Sequence, residues 1–300
     1  MATATTTKTA SAPLRAGRAS STAASYDSRN KLFNRVCFGV LIAFSLIWLI
    51  PIAWAVDTAI KPNAETTKVP TTWFIENPTL ESFRSVLSAG NIWKWYLNSF
   101  ITSAAVAAGT VVTASMAAYA ISRLRFRGRR WWFLFLLAGI MIPQQVLVVP
   151  LFREFDTLHL LNTYWAVILP QVPAAIAVFI FKQFFDGIPK ELEEAARVDG
   201  ASAARIYRTI IMPLARPAVS AVTIFTFVWS WNNLLWPLLV LTNPNLMTIQ
   251  VGLASVQGSY GIRYADIMAS ALLGGLPLVL AFLLFQRNIV EGIAGTGLKG

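Results

Sequence analysis

The chain has 300 residues, of which 56% are hydrophobic and only 13% are charged, and its mean hydropathy is +0.57. Soluble domains carry about 45–50% apolar and about 25% charged residues, so this chain has too little charge to cover a soluble surface. Its formal net charge is +11, but the basic residues stand beside apolar runs and form no single patch with interleaved aromatics. That distribution argues against a nucleic-acid partner.

The N-terminal segment, residues 1–30, is dominated by Ala, Ser and Thr, which supply nineteen of its thirty residues. Such a composition cannot bury enough apolar surface to fold, so we predict a disordered tail. An acid-poor, Arg-containing N-terminus is also typical of a transit peptide, but nothing before the first apolar run resembles a cleavage site.

Long apolar stretches predict an all-α membrane protein with six transmembrane helices in one domain over residues 31–287. A bilayer core takes about 20 apolar residues in a helix, and six charge-free stretches meet that length. The predicted spans drawn on these stretches are 36–56, 97–121, 131–151, 163–184, 217–241 and 265–286, of which the fourth extends to include Lys182 and the sixth to include Asp266.

Two of these spans have an alternative interpretation. The charge-free run from 217 to 262 is too long for one helix, and the turn signal Thr242-Asn243-Pro244-Asn245 divides it. The first span contains Ala53-Trp54-Ala55, a pattern found at signal-peptide cleavage sites. Its 21-residue apolar run is longer than the usual h-region of about 7–15 residues, which favours an uncleaved span.

The distribution of Lys and Arg predicts the orientation. With the N-terminus inside, the inner segments hold nineteen Lys and Arg residues and the outer segments hold six. Cytoplasmic loops carry the excess of cations, so we expect a multi-pass protein of the cell membrane with both termini cytoplasmic, including a C-terminal tail over residues 288–300. The second and sixth spans are rich in Ala, Gly and Ser, which favours a closely packed bundle.

The sequence lacks the residues needed for a disulfide, a metal site or an ATP-binding motif. The single cysteine, Cys37, and the single histidine, His159, provide neither a disulfide nor a metal-binding set. No G-x-x-x-x-G-K-[ST] motif is present, so the sequence predicts a chain that is not an ATPase and holds no cofactor or metal of its own.

The inner loop over residues 187–216 is the most informative segment. Residues 190–198 contain good helix formers, and the Asp199-Gly200 pair stops that helix. Ser202 is placed to cap a second helix that Pro213 ends. The loop is therefore predicted to be a helix–turn–helix at the inner membrane face.

A solvated connector would explain the charges of this loop, including a surface pair between Glu193 and Arg197 four residues apart. It would not explain the small residues Ala195 and Ala196 between acidic neighbours. That patch suits docking into a groove of another protein.

The loop resembles the EAA loop of ABC importer permeases, whose pattern is E-A-A, three residues, G, nine residues, I-x-L-P. Met212 stands where the family usually has Leu, a change that conserves volume. The matching residues, together with the intervening acid, are Glu194, Ala195, Ala196, Asp199, Gly200, Ile210 and Pro213.

The resemblance covers roughly residues 30–300 and implies the type I ABC importer permease fold with a cytoplasmic coupling helix. The six-span layout is similar to the carbohydrate-uptake branch, and in particular to the second permease of maltose-type systems. In that family the loop fits a cleft of the ATPase subunit, so Glu194 would pair with a basic group there. Ala195 and Ala196 would allow close approach, and Gly200 would permit the turn.

The partners implied by the resemblance are a second permease that shares the pore and two ATP-binding subunits that hold ATP and Mg. An extracytoplasmic solute-binding protein would deliver solute to the outer loops, residues 57–94 and 242–264. Membrane lipid would surround the spans.

The fifth span carries candidate pore residues. Trp229, Asn233 and Trp236 are spaced for one helical face, and indoles with amides suit the stacking and hydrogen bonding of a sugar. Alternatively, Trp236 belongs to the interfacial aromatic belt and the Asn side chain bridges helices. Gln144, next to Gln145, is a further candidate, unless these amides bond backbone freed near Pro143.

The sequence leaves three candidate functions. A permease subunit of an ATP-driven importer for a sugar or related polar solute is favoured. An ion-coupled secondary transporter would place charged residues within its spans, and an integral membrane enzyme would need clustered His, Asp or Glu at a membrane face. Oligosaccharide, monosaccharide and glycerol phosphate all stay open as solutes.

Overall fold

The fold is taken from a computed structural model that describes residues 20–69, 72–73, 75–88, 90–259 and 263–297. Side chains are described for residue 31, for 33–256 apart from 70, 71, 74 and 89, and for 263–283. The chain divides into two units, Met1–Trp54 and Ala55–Gly300.

The first unit consists of helix α1 (Ser20–Ala59), whose last turn belongs to the second unit. The stretch Phe33–Ala59 is long and apolar enough to cross a membrane, and large side chains such as Phe38 and Trp48 are exposed. The helix begins within the segment predicted to be disordered, so that prediction is wrong for residues 20–30. No glycine or proline interrupts this segment, and the apolar helix therefore propagates backwards through it. Residues 1–19 of the predicted tail lie outside the described part.

Helices are the only regular secondary structure among the described residues of the second unit. A 3₁₀ turn precedes α6, another follows α7, and a five-residue π-helical turn joins α10 to α11. The helices are α2 (Asn63–Thr66), α3 (Glu81–Ser88), α4 (Ile92–Arg123), α5 (Arg129–Ile140), α6 (Val148–Thr157), α7 (Tyr164–Ile168), α8 (Ala175–Asp186), α9 (Glu191–Val198), α10 (Ala203–Ile206), α11 (Met212–Leu214), α12 (Arg216–Trp231), α13 (Leu235–Val240), α14 (Ile249–Ser259) and α15 (Tyr264–Gly297).

The described residues contain three helices that individually have the length and composition of membrane spans, in α1, α4 and α15, or up to six spans if each of three bent helix pairs counts as one. The pairs bend by 89° between α5 and α6, by 47° between α7 and α8, and by 78° between α11 and α12. The predicted single helices 131–151 and 163–184 are therefore broken. Pro143, Pro170 and Pro173 lie at these breaks, where each removes a backbone donor and disfavours helix in the preceding residue.

The fifth predicted span, 217–241, is also two helices. Helix α12 ends at Trp231, and α13 begins only at Leu235. Asn232 donates its side-chain amide to the Val228 carbonyl, at 3.0 Å, and so competes with the helix ladder. Pro237 has no N–H with which to continue that ladder through the break.

The C-terminal helix extends further than expected. The predicted sixth span was 265–286, whereas α15 continues to Gly297 and includes most of the predicted C-terminal tail. The stretch with the composition of a span is Tyr264–Leu283, close to the prediction.

The core is built around α4, which packs against α8 and α12. Small residues of α4, Ala114 and Ala118, are buried against Phe181 and Phe185 of α8. A Cβ added to Gly109 of α4 would lie 2.9 Å from a Val172 methyl, so only glycine allows that approach. The close packing predicted from small residues is confirmed for this span.

The segment between α13 and α14 confirms the predicted turn. Its backbone is fixed to the first turns of α4, because the Trp95 indole donates to the Pro244 carbonyl at 2.8 Å. The Asn98 amide donates to the carbonyls of Asn245, at 3.0 Å, and Met247, at 2.9 Å. These bonds hold the outer ends of α4 and α14 together.

Candidate coupling surface and solute cavity

The inner loop folds as the predicted helix–turn–helix. Helix α9 ends at Val198, and Gly200, two residues later, has φ of +77°. The Ala201 N–H donates to the Ala196 carbonyl at 2.9 Å. Only glycine adopts this left-handed conformation readily. The Ser202 hydroxyl then accepts from the Arg205 N–H at 3.3 Å and caps α10, as predicted.

The second helix of the loop does not stop at Pro213. It passes through the π-helical turn and continues to Leu214. Pro213 lies in the first turn of α11, where its missing N–H is tolerated. The bend follows at Ala215, before α12 begins.

Helix α9 has one face toward the protein and one toward solvent. Glu193 is buried, and Ala196 is half-buried against the core. The outward face holds Leu192, Ala195 and Val198, and Val198 is 88% exposed.

The residues predicted to couple to the ATPase fall into two groups. Exposed residues are available to a partner, whereas half-buried Ala196 and Ile210 pack against the core. The exposed group comprises Glu194, Ala195, Asp199, Gly200 and Pro213.

Glu193 has a role that the sequence analysis missed. It forms an ion pair with Arg123 at 3.1 Å, and the two side chains are only 4% and 3% exposed. Arg197 reaches the other Glu193 oxygen at 3.4 Å, so the predicted surface pair is one edge of a buried network.

Arg123 extends this network to a third helix. Its guanidinium donates to the Phe185 carbonyl in the last turn of α8 and, at 2.7 Å, to the Ile188 carbonyl just after that helix. The network therefore ties α9 to the ends of α4 and α8. An arginine at the inner end of one span and an acid beside the E-A-A pattern were the available signals, but their pairing depends on tertiary structure.

A cavity of about 920 Å³ lies where three helix breaks meet: α5 to α6, α7 to α8, and α12 to α13. Apolar side chains form most of its wall, and no charged residue lines it. Its polar and indole groups are Gln144, Gln145, Gln171, Trp229, Asn232, Asn233 and Trp236.

The candidate pore residues meet at this cavity, but not in the predicted way. Trp229, Asn233 and Trp236 do not share a helical face, because α12 ends before Asn233. Trp229 is exposed and stacks on Phe225 at 6.2 Å. The Asn233 amide donates to the Gln171 carboxamide oxygen at 3.1 Å.

Trp236 is held in place by the protein itself. It is 7% exposed, and its indole N–H donates to the Ala166 carbonyl at 2.7 Å. The Trp236 indole is therefore packed within the protein, and its role stays a prediction. Gln144 and Gln145 are exposed in the 3₁₀ turn, and their side-chain amides make no hydrogen bond within the described residues. The sequence analysis missed Gln171 and Asn232.

Comparisons with known proteins agree with this arrangement. A model of the family described as binding-protein-dependent transport system inner membrane component matches residues 109–290. The arabinooligosaccharides transport system permease protein of Halalkalibacterium halodurans is 37% identical over 262 residues, covering 86% of this chain and 93% of that protein. The trehalose/maltose transport system permease protein of Thermococcus litoralis is 35% identical over 280 residues, covering 90% and 96%.

A solved structure shares the fold. It is a bacterial ABC transporter involved in the import of the acidic polysaccharide alginate, with a TM-score of 0.72 at 22% identity. The alignment covers 86% of this chain and 97% of that one.

The bent spans, the helix–turn–helix of the inner loop and the cavity are features of a helical membrane transport subunit. The chain belongs to the family of binding-protein-dependent transport system inner membrane components, as the family match and both relatives show. It is a multi-pass inner-membrane permease of an ABC importer and not itself the catalytic subunit. Such a permease works with an ATPase, a binding protein and a partner permease. The ion-coupled alternative is wrong.

Proposed function

We propose that this permease, with a second permease, forms the path for an uncharged sugar. The observation that carries the proposal is the 920 Å³ cavity, whose wall holds carboxamides and indoles and no charged residue. Amides exchange hydrogen bonds with hydroxyl groups, and indole faces pack on the C–H faces of a sugar ring. A phosphate or carboxylate would enter this wall without a counter-charge, at a large desolvation cost.

The similar proteins include both neutral-sugar and acidic-polysaccharide transporters. The names of the two relatives refer to arabinooligosaccharides and to trehalose and maltose, whereas the structural neighbour imports an acidic polysaccharide. The uncharged wall of this cavity favours the neutral group. Gln144, Trp229 and Asn233 are the side chains we assign to solute contact.

The rest of the transport cycle follows the arrangement of the loops. One of two ATPase subunits would receive the outward face of α9, and the other would serve the second permease. The binding protein would dock on the outer loops, residues 57–94 and 242–264. Both chain termini would then lie on the cytoplasmic side.

The test is solute uptake by the complete transporter in proteoliposomes. Labelled arabinooligosaccharide, maltose, trehalose and glycerol phosphate are compared, with ATP inside. We expect one of the neutral sugars to be transported and glycerol phosphate to be excluded. Trp229→Ala should lower the apparent affinity for the sugar about fivefold, the loss expected for about 1 kcal/mol of ring stacking.

Trp165→Ala is the matched control, because Trp165 is exposed but does not line the cavity. It should transport as the unmodified protein does. Equal effects of the two substitutions, or saturable uptake of glycerol phosphate, would contradict the assignment of the cavity.

A further inference from the structure

A second cavity, of about 600 Å³, lies between the α4–α5 loop and α9. It is separate from the solute cavity and shares no residue with it. Six cations and two carboxylates line it, beside Ser122 and Phe126. The charged residues are Arg123, Arg125, Arg127, Arg129, Lys190, Arg197, Glu193 and Glu194.

Only part of this positive charge is compensated within the protein. Glu193 serves both Arg123 and Arg197, and Arg129 points at the Ser122 and Leu124 carbonyls, 3.4 Å from each.

Three cations remain over. Within the described part of the chain, the side chains of Arg125, Arg127 and Lys190 are exposed and make no ion pair or hydrogen bond. Arginine and lysine in this arrangement suit a phosphate group, because several donors converge on one anion.

The position of the cavity in the fold points to the membrane surface. The candidate span in α4 ends at Arg123, and the next one begins at Arg129. The exposed indoles of Trp131 and Trp132 follow in the first turn of α5, and such residues favour the headgroup region. The α4–α5 loop therefore lies where both helices leave the hydrocarbon core.

The excess of cations in inner loops would by itself account for the arginines of the α4–α5 loop. It does not account for the meeting of these arginines with Lys190 and Arg197, which come from a separate segment and line the same cavity. Convergence of two segments on one space is the mark of a binding site.

We propose that this cavity binds the phosphate-bearing headgroup of an anionic phospholipid. The lipid would join the α4–α5 loop to α9, the helix assigned to ATPase docking. The position of α9 would then depend on the anionic lipid content of the bilayer, because the headgroup would contact α9 directly.

The test uses the full-length chain, purified in mild detergent with the subunits that accompany it. Native mass spectrometry counts the molecules of phosphatidylglycerol and phosphatidylcholine retained at matched concentrations. Arg125→Gln combined with Arg127→Gln should reduce phosphatidylglycerol retention about tenfold, since each cation near a membrane surface attracts an anionic lipid appreciably. Phosphatidylcholine retention should not change.

The control removes two positive charges from the inner loop over residues 187–216, outside the cavity. Arg205 and Arg208 are exposed and do not line the cavity, so Arg205→Gln with Arg208→Gln should retain phosphatidylglycerol normally. Intact mass of the assembly reports folding for both variants.

Four results would overturn the proposal. One is equal retention of the two lipids by the unmodified protein, and another is equal loss in the two double variants. The third is displacement of phosphatidylglycerol by millimolar inorganic phosphate, which would assign the site to a free anion. If the cavity variant kept its lipid but released the ATPase subunit, the cavity would face protein and the proposal would be wrong.

Discussion

At the scale of single residues, the Arg123–Glu193 pair decides how α9 is held. Both side chains are nearly inaccessible, and Arg123 also binds the carbonyls that end α8. Taking two charges out of water is costly, so such a pair adds little net stability. Removing one partner is different, because it leaves an uncompensated charge in a buried place. The pair therefore fixes the position of α9 relative to α4 and α8.

We predict that Glu193→Ala lowers the free energy of unfolding by about 3–5 kcal/mol, the usual effect of breaking a buried pair. Glu194→Ala is the matched control on the same helix, since Glu194 is exposed and makes no ion pair within the described residues. It should change stability by less than about 0.5 kcal/mol. Thermal unfolding of the purified variants provides the measurement.

A double variant separates charge from packing. Arg123→Met with Glu193→Leu removes both charges, keeps apolar volume and should recover most of the lost stability. If this double variant were as unstable as Glu193→Ala alone, the buried charge would not be the cause.

At the scale of helices, the turn at Gly200 sets the angle between α9 and α10. Its φ of +77° is strained for any side chain, while no atom within 4 Å would meet an added Cβ. The effect of substitution is therefore conformational and not steric. A single residue of this kind can change the direction in which α9 faces.

We predict that Gly200→Ala destabilises the turn by about 1–2 kcal/mol and lowers ATP-driven uptake. Gly200→Asn should be milder, because Asn tolerates the left-handed region better. Gly275→Ala in α15 is the control: its Cβ also meets nothing within 4 Å, but its backbone is helical. Alanine there should be neutral or slightly stabilising. Indistinguishable uptake by the Gly200 and Gly275 alanine variants would refute the role of the turn.

The sequence predicted these local features because they depend on neighbouring residues. Gly200 and Ser202 act within a few residues of their own positions, and both predictions are confirmed. The breaks at Pro143 and after Trp231 were missed because a hydropathy pattern gives the length of an apolar segment and not the direction of its helix axis. The burial of Glu193 was missed because its partner, Arg123, is 70 residues away in sequence. The assembly of the cavity from three breaks likewise depends on tertiary packing.

At the scale of the whole molecule, the assigned functions are separated in space. The solute cavity is formed by helix breaks in the second unit, and the outward face of α9 belongs to a different segment. Helices α4 and α12 connect the two regions, because both pack in the core that also receives Ala196 and Ile210. A force applied to α9 would reach the cavity through this packed core. The ATPase and the solute can then influence each other without contact.

We propose that the outward face of α9 is the surface that binds the ATPase. Its most exposed apolar residue, Val198, has no packing function in the described chain, and burial against a partner would remove it from water. We predict that Val198→Glu reduces co-purification of the ATPase subunit about tenfold, because a carboxylate would be buried without a partner. Val69→Glu is the matched control, since Val69 is 95% exposed in the connection between α2 and α3. If both variants retained the ATPase equally, the coupling surface would lie elsewhere on the chain. If only Val198→Glu lost it, docking would depend on this face of α9, and the buried Glu193 would connect that face to the spans.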